Sequence, residues 1–471
     1  MTKFETKIDK TENMHIDAYI YSHNKLKIED EAIEQLKNAA SIPEAEGVFA
    51  MPDIHTGYGV PIGCVLGLRY AISPSAVGYD INCGMRLIKT QLLAKDVDIK
   101  KLAESISRDI PLGKGKNNLR LDKDTFEEVV TCGIPSIVDN PSIIENHRSH
   151  KGYNVNDIYR DIDNTEDYGY LNCNLENVSD RAIERGMTQL GTLGDGNHFV
   201  EIQEVTENLD EATAKAFGLF EGQLVIMIHT GSRGFGWQIC DDYSKEFATA
   251  PETQTINKDL SYASSESEIG KKYINAMHCA ANFAYMNREI ITLLVRANIN
   301  ALYPNTSTEL LYDVTHNMAK PEQHNNKNIW VHRKGATRAF PASKISYGSY
   351  AGIGHPVIIP GSMGTSSYIL VGLESNDITF NSVNHGAGRA MSRTKAGGMS
   401  RNGKRKKEGI ITDERFAETM NGILLICNDK DNIKQEAPDA YKNIDNVIEA
   451  TTGSDLAKTV VKLKPLAVMK G

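Results

Sequence analysis

Apolar positions recur every three or four residues through "SESEIGKKYINAMHCAANFAYMNREIITLLVRAN", residues 265–298, the strongest helical periodicity in the chain. It predicts one long helix, read as scaffold. Helical spacing also marks 28–40, ahead of Pro43, and residues 95–109 and 122–131. Elsewhere the apolar residues come in short runs punctuated by glycine. "GVFAMPDIHTGYGVPIGCVLGL" reads as short β segments, and "GQLVIMIHTGSRGFG", residues 222–236, as a β run that ends in a polar, glycine-rich turn. "RAIERGMTQLGTLGDGNHFVEI" gives a helix, a glycine-rich turn and a strand, in that order. In the second half, "LLYDVTHNMA", "NIWVHRKGATRAF", "HPVIIPGSMGTSSYILVG" and "TFNSVNHGAGRAMSR" alternate strands with glycine-rich turns. Strand runs mixed with segregated helices predict an α+β fold rather than a regular βαβ alternation. Residues 139–180, rich in Asn, Asp and Tyr, interrupt this pattern and predict a long irregular excursion, an insertion or a lid.

Composition narrows the class. A chain of 471 residues can bury a sizeable core, and although length does not settle the domain count, candidate site residues spread over distant segments lead to one functional domain over 1–471. No run of 18 apolar residues could span a bilayer, and the N-terminus lacks a secretory pattern, so a cytoplasmic protein is expected. Seven scattered cysteines (Cys64, Cys83, Cys132, Cys173, Cys240, Cys279 and Cys427), none in a C-x-x-C pair, argue against a disulfide framework and a zinc ribbon. A net charge of −9 excludes a broad basic coat for nucleic acid and leaves room only for a local groove. The densest basic stretch, 389–409, holds eight Lys or Arg and one acid, and by itself reads as a solvated loop.

One pattern carries chemistry: a β-like run reaches a histidine or cysteine, and glycine or a small polar residue follows. It occurs at Cys83, His229, His316 and His385, and in mirrored order at His198. Strand ends and adjoining loops are where sites are commonly built, because a rigid sheet aims the side chain while the loop leaves room for a ligand. Asp80, Cys83, His198, His229 and His316 together form a metal-ligand set, although each histidine alone also reads as a hydrogen-bonded core or loop residue. Five donors exceed one closed tetrahedral site and a thiolate can bridge, which points to two ions suited to phosphoryl transfer. "PGSMGTSS", residues 360–367, and "HGAG", residues 385–388, offer glycines and hydroxyls for oxyanions, with Arg389 and Lys334 as charge partners; ordinary tight turns explain either stretch as well. With no P-loop and no Lys-x-Asp-Gly element, a covalent nucleotide step would need another nucleophile, and His385 is the candidate.

"MPDIHTGYGVPIG", "VGYDINCGMRL", "GTLGDGNHFVEI", "IHTGSRGFG", "HNMA", "VHRKGATRA", "IPGSMGTSSY", "NHGAGRAMSR" and the terminal "KG" resemble the RtcB family of RNA ligases along nearly the whole chain, in the archaeal-type form. The resemblance implies mixed β-sheets with surrounding helices around a central metal and nucleotide cleft. It implies joining of RNA 2′,3′-cyclic phosphate or 3′-phosphate ends to 5′-hydroxyl ends, in tRNA splicing or RNA repair, with GTP and two Mn²⁺ ions. Asp80, Cys83 and His198 would hold one ion and Cys83, His229 and His316 the other. His385 would attack the α-phosphorus of GTP, and the guanylate would pass to the RNA 3′-phosphate. Guanylate contacts are implied for Asn197, His198, Phe199, Val200, Glu201, His316, Asn317, Pro360, Gly361, Ser362, Met363, Ser367, His385, Gly386, Ala387, Gly388 and Lys470, with Tyr441 a candidate to stack on the base. Glu201 would read the guanine N–H edge. The family suggests a monomer and an archease-type activator as a further partner. Two features depart from the family: Asn384 before the nucleophile, where many members have cysteine or serine, and the 139–180 excursion, which leaves RNA preference open. A two-metal phosphoesterase without covalent guanylation is the alternative reading, and a non-catalytic RNA-end or metal-binding protein a third.

Overall fold

The long helix forms where its periodicity places it. In a computed structural model describing residues 3–145, 147, 154–401 and 404–471 it spans Glu268–Leu302, capped by the Ser267 side chain, which accepts the Gly270 N–H. Aspartates cap two of the other predicted helices in the same way: Asp98 before Ile99–Asp109 and Asp122 before Lys123–Cys132. The helix at 28–40 is Asp30–Ala40.

The apolar runs pair into two large sheets. An eight-stranded sheet runs Thr308–Thr315, Gly84–Leu93, Gln223–Thr230, Phe199–Asn208, Ala457–Lys470, Ser367–Gly372 and Pro356–Ile359, with Leu424–Cys427 added beside Ala457–Lys470. A six-stranded sheet runs Glu5–Ile8, Ala18–Tyr21, Ala45–His55, Ile62–Leu68, Lys327–Lys334 and Asn317–His324. Strand alternation sorts the core: Leu224, Ile226 and Ile228 face the cluster around the long helix, while Val225 and Met227 face the cluster on the other side of the sheet. The α+β expectation holds, with helices set around mixed sheets rather than between parallel strands.

Register decides where the chemistry gathers. Gly84 pairs with both Thr230 and Thr315, and Phe199 pairs with His229. The starts of two strands and the ends of two others therefore share one edge of the sheet, and Cys83, His198, His229 and His316 all lie there. His316 is the single residue between Thr308–Thr315 of one sheet and Asn317–His324 of the other. Met469 pairs with Val200, which brings Lys470 to the same edge.

The excursion at 139–180 is more ordered than its composition suggests. It carries the helix Val155–Asp163 and 3₁₀ turns at Glu166–Gly169 and Leu175–Asn177, and Ile143, Ile144 and Ile158 are buried against the main core. Its residues 146 and 148–153 lie outside the described residues. The basic stretch 389–409 forms a short helix, Arg393–Gly397, then paired strands Met399–Arg401 and Lys404–Lys407, with residues 402 and 403 outside the described set.

Candidate metal and nucleotide site

The turn that holds Asp80 and Cys83 closes on itself: the Cys83 N–H donates to the Asp80 carbonyl at 3.0 Å. Asn82 takes a left-handed backbone there (φ 56°), a conformation asparagine tolerates better than most residues, and its side chain donates to the Ala281 carbonyl of the long helix. Cys83 Sγ lies 3.4 Å from His198 Nε2 and 3.2 Å from His229 Nε2. His229 Nε2 is in turn 3.2 Å from His316 Nε2, and His198 Nε2 is 2.8 Å from Asp80 Oδ2. All five residues proposed from sequence as ligands are brought together, with the thiol in the middle. Gly231 leaves the space they need, since a Cβ there would sit 2.5 Å from Asp80 Oδ1.

These donors fit divalent cations. The ligand atoms of Cys83, His198 and His229 all lie within 4.8 Å of one another. Burial pushes His229 and His316 well below the ordinary imidazole range, so both rings are neutral, and their Nδ1 atoms find no partner among the described residues. Two neutral rings whose Nε2 atoms face each other repel unless a proton or a cation lies between them. His198 Nδ1 lies 3.0 Å from the Leu193 carbonyl, which turns Nε2 toward Asp80 and Cys83. Burial opposes ionisation of Asp80, but His198 and Arg233 override it and hold the carboxyl down at about 2. The Cys83 thiol is pushed well up by burial and by Asp80, so its deprotonation is coupled to cation binding.

The long helix fastens this cluster from behind. Fully buried Arg288 donates to the carbonyls of Asn82 (2.8 Å) and Thr230 (3.1 Å), the residues flanking Cys83 and His229, and pairs through Nε with Asp313 (2.8 Å). Arg86 shares Asp313 and reaches Glu289. The 139–180 excursion contributes too: Glu166 accepts from the Thr315 N–H and hydroxyl, beside His316, and pairs with Lys320 and Arg338. The helix read as scaffold therefore also positions the backbone around the donors.

A cavity of about 400 Å³ opens against the cluster. Asn197, Phe199, His316, Asn317, Pro360–Met363, His385–Gly388 and Lys470 line it. Val200, Glu201 and Ser367 stand one layer behind. Val200 is core, Ser367 Oγ accepts the Gly361 N–H at 3.2 Å, and buried Glu201 accepts from Gln203 at 2.6 Å, its carboxyl raised to about 8 by burial. No described residue of 139–180 lines this cavity.

His385 enters the cavity beside the cluster, its ring centroid 4.9 Å from that of His316. Its Nδ1 is 2.6 Å from Asp53 Oδ2, which also accepts the His385 backbone N–H at 3.1 Å. The carboxylate therefore holds the proton on Nδ1 and leaves the Nε2 lone pair free. Asp53 is fully buried, and Gly388 (φ 70°) is required beside it, because a Cβ there would fall 2.2 Å from the Asp53 carbonyl. Asp53 is absent from the residues that the sequence pattern marks; in "MPDIH" it sits inside an apolar strand, and a carboxylate in such a place is its one local signal. Lys334, offered as a charge partner, instead donates to the carbonyls of Tyr58, Val60 and Ser75. Arg389 donates to the Gln435 carbonyl, pairs with Glu436 and lies 5.0 Å over the Tyr441 ring.

The family model described as tRNA-splicing ligase RtcB matches residues 35–471. The chain belongs to the RtcB family. This makes it an enzyme of the RNA-ligase class. The tRNA-splicing ligase RtcB of Methanococcus maripaludis is 40% identical, over 98% of this chain and 94% of the relative. That of Thermococcus kodakarensis is 38% identical, over 99% and 96%. The RNA-splicing ligase RtcB homolog 1 of Entamoeba dispar is 38% identical, over 100% and 90%. An RtcB-type site is thus the frame in which the Cys83 cluster and His385 are read.

Proposed function

We propose that the chain joins RNA 2′,3′-cyclic phosphate or 3′-phosphate ends to 5′-hydroxyl ends, using GTP and Mn²⁺, in tRNA splicing or RNA repair. The observation that carries this is the His385–Asp53 pair set beside the Cys83 cluster in one cavity. His385 Nε2 attacks the α-phosphorus of GTP, forming an N–P bond as pyrophosphate leaves, while Asp53 stabilises the imidazolium that develops. The RNA 3′-phosphate then takes the guanylate from His385, and the 5′-hydroxyl displaces GMP. Asp80, Cys83 and His198 would hold one Mn²⁺ and Cys83, His229 and His316 the other; the ions supply charge neutralisation at the phosphates. The turn Pro360–Met363, the His385–Gly388 turn and Lys470 surround the guanylate, and Glu201 selects guanine. We take the chain as one functional domain and a cytoplasmic monomer, with an archease-type protein as a candidate activator.

Incubation with Mn²⁺ and GTP should give an acid-labile GMP adduct on the intact protein, absent in His385→Ala. Metal-loaded wild type that forms no adduct yet releases phosphate from RNA 3′-phosphate ends would replace this reading with a phosphoesterase.

A further inference from the structure

From the cavity wall outward, four side chains from four separate segments form a row. Tyr58 and Tyr79, which line the cavity, have ring centroids 5.6 Å apart. Tyr79 stacks on Trp237 at 5.5 Å with the planes 23° apart, and the Arg185 guanidinium lies 4.8 Å over the Trp237 ring. Trp237 is 41% exposed on the helix Arg233–Phe247, one of only two tryptophans in the chain. Neither metal donors nor the guanylate turns use this row, yet Tyr79 adjoins Asp80 and the row leads from there to solvent.

We infer that Tyr58, Tyr79, Trp237 and Arg185 form a stacking track for the unpaired terminal nucleotides of the RNA whose end enters the cavity, an assignment that rests on the ligase reading. Single-stranded RNA is commonly held by bases stacked on aromatic rings and guanidinium planes, which accept any base. The charges beside the row are mixed: Asp241 pairs with Lys245, and the Lys334 ammonium donates to the Tyr58 carbonyl, so the rings rather than a one-signed patch make the contact.

The test uses the full chain in a Trp330→Phe background, where Trp237 is the sole tryptophan. Unstructured oligoribonucleotides are titrated without GTP, one ending in a 3′-phosphate and one offering a 5′-hydroxyl with a 3′-hydroxyl. Quenching of Trp237 fluorescence by either strand supports the track and assigns it to that end. Trp237→Ala, tested in the otherwise wild-type chain, should weaken RNA binding and raise the KM for RNA about tenfold, with the rate of GMP-adduct formation unchanged and Trp237→Phe restoring most of the loss. No quenching by either strand, or unchanged RNA affinity in Trp237→Ala, overturns the inference. Failure of the ligase reading is separately visible, as a missing adduct in wild type with quenching intact.

Discussion

The wall of the cavity that carries Cys83, His198, His229 and His316 is made of strand ends in one sheet, whereas the wall that carries His385 is made of turns. On the first, register alone sets the donors side by side, and buried Arg288, Asp313 and Arg86 lock the backbone behind them. On the second, Pro360–Met363 and His385–Gly388 depend on close glycine approaches and on single side chains, Asp53 for His385 and Ser367 for Gly361. The first wall must hold several donors at fixed separation, and strands do that best. In the proposed function the second would wrap a nucleotide and present one lone pair, which turns allow.

The contrast predicts how each wall breaks. The largest effect is expected for Cys83→Ala. Sγ stands between His198 and His229, so its removal should lower bound metal at both sites together and abolish guanylation. Metal analysis beside adduct yield checks this; an unchanged metal content with active enzyme would make Cys83 a core thiol. Asp53→Asn should strike only the other wall. The amide can donate to Nδ1, which shifts the proton to Nε2 and removes the attacking lone pair, so guanylation should slow by roughly 10³-fold or more. Metal content should stay at the wild-type level.

Arg288→Met tests the support behind the first wall. It frees the carbonyls of Asn82 and Thr230 and leaves Asp313 with Arg86 alone, a loss of about 3–5 kcal/mol for a broken buried pair. Denaturant unfolding should register that loss, and metal affinity should fall some 10–100-fold because the donors' backbone is no longer fixed. Equal metal affinity in variant and parent would mean that the strand register suffices without the arginine.

The two walls also differ in how much of them the sequence discloses. The first was readable because each donor closes an apolar run ahead of a glycine or small polar residue, a local signature at Cys83, His229 and His316. What holds those donors was not. Arg288 lies within a helix whose apolar periodicity explains the segment without it, and its partners, Asn82, Thr230 and Asp313, come from three distant strands and turns. Asp53 is hidden for the same reason, 332 residues before His385 in the chain. Likewise, the polar composition of 139–180 suggested an irregular excursion because Glu166, Asp161 and Asp167 find their cations elsewhere: Lys320 and Arg338 for the first and last, Arg296 for Asp161. Local pattern shows where an element ends; which buried charges meet is a property of the tertiary register.

The smallest effect is expected inside the strand Phe199–Asn208, at Glu201, and pH exposes it. In the unfolded chain this carboxyl ionises near the ordinary value of 4.5, but burial raises it to about 8 in the folded protein. Between those values the folded state keeps a proton that the unfolded state has lost, so Glu201 lowers stability progressively as pH rises and the full penalty is present above pH 8. Glu201→Gln is neutral in both states and still offers an oxygen to Gln203. The variant should match the parent in urea unfolding at acid pH and exceed it by an amount on the order of a few kcal/mol at alkaline pH. It should also guanylate more slowly with GTP, since an amide offers guanine one acceptor oxygen where a carboxyl that ionises on binding offers two. Parallel pH profiles for the two proteins would show that Glu201 is ionised in the folded state, and the cost of its burial would then have to be met by Lys470.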